Sequence, residues 1–140
     1  MNRRLFDAAR IEDVHRLAVR EVVKELVDLL GRKTVAYLAG LNSVREVTSW
    51  LGDEGSRPKE DREAVLRSAL QAARYIGDLE SQDSAAAWCV GTNPGYDFES
   101  PAAVLRRRGM EGRSDVVRAA RSFVADALAA HKAEAAFATA

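Results

Sequence analysis

Apolar residues in this chain recur at spacings of three and four, with glycine, proline or a capping serine between one run and the next. A helix of 3.6 residues per turn gathers such positions on one face, whereas a strand needs alternation with a period of two. No sustained alternation and no hairpin signal occurs. The spacing therefore predicts an all-α fold of six or seven helices. From Ile11 to Leu30 the stripe is Val14, Leu17, Ala18, Val22, Leu26 and Leu29, widened by Val23 and Leu30, with Glu12 and Arg16 paired on the wet face and Gly31 as the stop. That width exceeds what one partner helix needs and predicts self-association.

A short helix follows at Lys33–Ala39, and Gly40 and Leu41 turn the chain. Ser43 and Glu46 then form a capping box for a third helix whose Val44, Val47 and Leu51 face the core, and Gly52 stops it. Two short helices around a glycine turn, at about residues 33–52, outline a helix-turn-helix, with Ala36 and Gly40 small where the helices approach. Pro58 opens the fourth helix with Glu60 and Asp61 at its positive end. Leu66, Ala69, Leu70, Ala73 and Ile76 line its buried face, and Gly77 breaks it. Ser81 or Asp83 caps a helix carrying Ala85 to Val90. The division expected is an N-terminal helical domain, 1–78, and a second, 79–140, in a chain whose 140 residues suit one domain or two helical layers sharing a core.

Residues 88–109 read WCVGTNPGYDFESPAAVLRRRG. Gly91 is expected to close a helix in the left-handed conformation, and Asn93, Pro94 and Gly95 to make a turn. Ser100 is an N-cap and Pro101 takes the first helical position, where a missing N–H costs nothing. That helix runs through Leu105 to Arg106, Arg107 and Arg108, cations that suit a negative C-terminus, and Gly109 ends it. Met110–Arg113 is expected to loop, and Ser114 to cap a last helix with stripe Val116, Ala120, Phe123, Val124, Ala127 and Leu128. Trp88 and Phe123 are expected in the core. After His131 the alanine-rich tail, 131–140, extends the helix or frays; Phe137 is either disordered or a small anchor for a partner.

Charged residues make up 30% of the chain and cancel to a formal net charge of zero, so the electrostatic footprint of a strong nucleic-acid binder is missing. The lone cysteine, Cys89, cannot form an intrachain disulfide and suits a reducing compartment. With no signal peptide pattern and no membrane-length apolar run, a cytoplasmic protein is expected. His15 and His131 are far apart and make no metal spacing with Cys89, and no glycine-rich phosphate loop follows a strand. No cofactor, no metal and no catalytic residue is expected.

On the third helix Arg45, Thr48 and Ser49 face outward and have the chemistry to reach base edges or phosphates, with Arg32, Lys33, Arg57, Lys59 and Arg62 placed to contact the flanking backbone. Glu46, Asp53, Glu54, Glu60 and Asp61 lie among them and oppose binding, so a helix-turn-helix retained only for packing accounts for the pattern equally well.

The ordered set Trp88, Asn93, Pro94, Ser100, Pro101, Leu105 and Gly109 resembles the toxin-binding domain of Xre/MbcA/ParS-type antitoxins. The closing run Ala119, Ala120, Arg121, Ser122, Phe123, Val124 is similar to that of an actinobacterial branch. The resemblance spans roughly residues 33–128. It implies a helix-turn-helix that binds operator DNA and represses its own operon, and a C-terminal half that binds and blocks a RES-domain, NAD-degrading toxin in a hetero-complex or homo-oligomer. By that resemblance Arg106, Arg107, Arg108 and Arg121 are the candidate toxin contacts, while Trp88, Asn93, Pro94, Pro101, Leu105 and Gly109 shape the corner. A stand-alone DNA-binding regulator and a helical interaction module without DNA affinity are the other readings.

Overall fold

Stripes spaced at three and four fold as the pattern requires. The computed structural model, which describes residues 11, 13–52, 55–92 and 99–138, is all-α. Among the described residues are α1 (Val19–Leu30), α2 (Arg32–Leu38), α3 (Arg45–Leu51), α4 (Glu60–Leu79), α5 (Gln82–Val90), α6 (Pro101–Arg108) and α7 (Arg113–Ala138). Tight 3-10 turns lie at Asp13–His15 and Gly109–Gly112. The twenty-residue α4 is central: it packs on α1, α5 and α7, while α2 packs on α6 and α3 on α1.

One apolar cluster runs through the described chain. It includes Leu26, Leu66, Leu70, Ile76, Ala85, Leu105 and Ala120, all buried. Each large side chain so enclosed stabilises the fold by about 1.5–3 kcal/mol. The core therefore passes across residues 78 and 79, which lie in the last turn of α4. The broad stripe of α1 (Val19, Val22, Val23, Leu26, Leu30) is covered by α3, α4 and α5 of the same molecule. Its width is accounted for without a second copy. Arg74 of α4, 5% exposed, makes two 2.6 Å hydrogen bonds to the Glu25 carboxylate of α1. That hydrogen bonding raises the arginine pKa further and keeps the buried cation charged.

Several local expectations are corrected. Ile11–Leu30 is not one helix: the chain leaves helical geometry at Ala18, with ψ of 144°. The carbonyls of Val14 and Leu17 accept 2.7 Å hydrogen bonds from Arg67 Nη1, so the break has a partner waiting for its orphaned acceptors. The Glu12–Arg16 pair lies partly outside the described residues. No capping box forms at Ser43, because the residue preceding α3 is Val44, already in the right-handed helical region. Ser43 Oγ instead accepts a long 3.4 Å bond from Arg45 N. Pro58 is buried ahead of α4, which begins at Glu60.

Gly77 does not break α4, which continues to Leu79. A helical glycine costs only about 1 kcal/mol, which the buried Tyr75 and Ile76 of the same turn outweigh. Ser81 then caps α5, accepting from Ser84 N at 3.0 Å. The segment after α6 is a 3-10 turn rather than a loop and leads directly into α7 at Arg113, leaving Ser114 inside the helix.

Candidate functional site

The α5–α6 corner has the punctuation its residue types dictate. Ser100 Oγ accepts from Ala103 N at 3.0 Å, Pro101 is the first residue of α6, and Leu105 is buried. Gly109 ends the helix at φ +58°, where a side chain would be strained. Gly91 is a correction: its φ is −80°, not left-handed. Glycine is needed there because a Cβ would approach the Ala87 carbonyl oxygen to 2.9 Å. Trp88 is only partly buried and packs on the core edge, with its indole Nε1 enclosed and without an acceptor among the described residues. Asn93 and Pro94 lie outside the described residues. Burial pushes the Cys89 thiol up to about 12, so it stays protonated at neutral pH.

The three arginines at the end of α6 have three different environments. Arg106 Nη1 donates to the carbonyls of Tyr37 and Leu41 at 2.9 Å each and Nη2 to Asn42 Oδ1 at 3.3 Å, with the guanidinium 4.8 Å over the Tyr37 ring. It ties α6 to the exit of α2. Arg107 is exposed and forked onto Glu99 at 2.7 and 3.1 Å; that hydrogen bonding raises its pKa. Arg108 binds Asp115 at 2.6 Å and reaches the Glu111 carbonyl. The Arg108 hydrogen bond holds the Asp115 carboxyl below its usual range. Arg121 of α7 donates from Nε to Tyr75 Oη at 2.9 Å and lies 5.3 Å over that ring.

Arginine recurs as a cap in this fold. Arg62 Nε donates to the Ala39 carbonyl and Arg20 Nε to that of Leu51, closing the ends of α2 and α3. Helix ends offer unpaired acceptors and negative partial charge, which a guanidinium matches. Arg62, expected as a flanking contact to a nucleic-acid backbone, instead caps α2. Arg20 and Arg67 were not singled out by sequence, because the main-chain carbonyls they meet lie 31 to 53 positions away.

On the proposed reading helix, Arg45 is exposed, as are Lys33 of α2 and Arg57 ahead of α4. Thr48 Oγ1 accepts from Arg32 Nη1 at 3.0 Å. Ser49 is half-buried: its Oγ bonds Ser56 Oγ and accepts from Ser56 N, both at 3.0 Å, pinning the chain beyond α3. Ser49 thus faces its own loop, while Arg45, Lys33 and Arg57 face solvent.

The largest departure from the expected core is in α7. Val116, Val117, Ala120 and Val124 are buried, but Phe123 is 38% exposed, Leu128 43% and Phe137 86%. From Ala125 to Ala138 no residue is buried and only Ala127 and His131 are half-buried, so about 21 Å of helix runs beyond the core. The alanine-rich tail is helical to Ala138. Among the described residues no helix is long and apolar enough to cross a membrane, and no group of His, Cys, Asp and Glu is placed to hold a metal. No protein-family model, curated protein or solved structure matches this chain.

Proposed function

We propose that this protein is an antitoxin-like binding module that neutralises a RES-type, NAD-degrading toxin by docking the outward faces of α6 and α7. One observation carries the partner-binding part: the second half of α7 extends beyond the core, with Leu128 and Phe137 exposed on it and Phe123 exposed just before it. A helix of fourteen residues is marginal in water by itself, and large apolar groups left outside a core mark interaction surfaces. The resemblance in the ordered set from Trp88 to Gly109 supplies the partner's class. Arg107, exposed beside Glu99, is the arginine of α6 best placed to add a polar contact at the rim.

Co-expression with a RES-domain toxin encoded next to it tests this. A stable co-purifying complex and suppressed NAD loss are expected. Free toxin activity at saturating amounts of the protein refutes the reading.

A second reading, operon-specific DNA binding through α2 and α3, draws on the exposure of Arg45, Lys33 and Arg57. A gel shift on the protein's own promoter should then weaken for Arg45→Ala. An unchanged shift removes the helix-turn-helix from the function.

A further inference from the structure

We propose that the groove between α4 and the first half of α7 binds a phosphoryl group. The groove is open to solvent and has a volume of about 440 Å3. Arg113, Arg118 and Arg121 line it with the neutral hydrogen-bonding side chains of Ser68, Gln71 and Ser114. No carboxylate is among its lining residues. The cleft between the end of α2 and the start of α4 differs: it holds Asp61 and Glu111, and its Arg62 and Arg106 are bonded to main-chain carbonyls.

Two of the groove's arginines are anchored by one nitrogen only. Arg113 donates from Nε to the Met110 carbonyl at 3.0 Å, and Arg121 from Nε to Tyr75 Oη at 2.9 Å. In each case the bond orients the guanidinium plane and leaves the Nη pair without a hydrogen-bond partner among the described residues. Tyr75 is buried and Arg121 is stacked on its ring, so much of the side-chain entropy that ligand binding would otherwise cost is already lost. A guanidinium presented by its Nη edge matches two oxygens of a planar or tetrahedral anion. Arg118 is 73% exposed and touches Asp115 at 3.4 Å, long enough for the arginine to turn to a competing anion. Three cations with three neutral hydrogen-bonding side chains suit a group that carries up to two charges on three oxygens better than a single carboxylate. The site is separate from the uncovered half of α7 and does not depend on the toxin-binding reading.

Calorimetric titration of the full chain with inorganic phosphate, at low ionic strength, tests the proposal. Saturable one-site binding is expected, weakened roughly tenfold or more in Arg113→Gln and in Arg121→Gln, the size of a lost charge-assisted hydrogen bond. Arg113→Gln leaves the Tyr75 contact in place, so its loss of binding cannot be ascribed to damage at Arg121. Arg107→Gln, outside the groove, should bind as the parent does. A phosphoserine peptide titrated in parallel assigns the source: tighter binding than inorganic phosphate points to a modified side chain, weaker binding to a free phosphate. No saturation below about 1 mM overturns the proposal, as does equal weakening by Arg107→Gln, which would mean diffuse attraction.

Discussion

Gly77 and Gly109 are both glycines at or near helix ends, yet substitution should move stability in opposite directions. Gly77 is helical, and a Cβ there meets nothing within 4 Å. Gly77→Ala should stabilise the protein by about 0.5–1 kcal/mol in urea denaturation, through the lost freedom of the unfolded chain. Gly109 sits at φ +58°, and Gly109→Ala should cost about 1–3 kcal/mol on the same scale. Cys89 offers an independent check of burial. Its thiol ionises near 12 when folded against an ordinary 9.0. The neutral form is the one the fold favours, so this contribution is complete below pH 9 and is lost as pH rises toward 12. Labelling with a thiol reagent at pH 8 should be slow in the native protein and fast in urea; fast native labelling would mean the α5 end is open.

Arginine decides several element boundaries, and that is where sequence reading was weakest. Helix existence was legible because apolar spacing is local: α1, α4 and α7 each show their stripe within a few turns. Ser100, Pro101 and Gly109 were legible for the same reason, since a cap acts on its nearest neighbours. The break at Ala18 was not, because its acceptors are met by Arg67, fifty and fifty-three positions away. Arg106 shows the same limit: beside Arg107 and Arg108 it reads as surface charge, yet its guanidinium holds the exit of α2. Arg106→Ala should therefore destabilise the fold by about 1.5–3 kcal/mol, leaving two main-chain carbonyls without that donor. Arg107→Ala, losing only an exposed pair, should leave the melting temperature unchanged and, on the toxin-binding reading, still weaken the complex. Thermal melts of the two variants side by side separate the structural arginine from the available one.

At the scale of the molecule, α7 is two helices in one. Up to Val124 it belongs to the core, with Val116, Val117, Ala120 and Val124 buried against the central α4. Beyond Val124 only Ala127 and His131 are half-buried, so the extension relies mainly on helix propensity, which alanine supplies without needing cover. Sequence reading extended the buried stripe through Phe123 and Leu128 because periodicity specifies a face but not where the opposing helix ends. Deleting residues 125–140 removes no buried side chain among those described, so it should shift unfolding free energy by less than about 0.5 kcal/mol, the range of surface changes. The same deletion should abolish toxin binding if the exposed extension is the docking element. Hydrogen exchange adds a second readout: amides of residues 129–138 should exchange rapidly in the free protein and become protected in the complex, while those of α4 stay protected in both. A truncated protein that melts like a core mutant would make the extension part of the fold. One that binds toxin as tightly as the full chain would move the interface to α6.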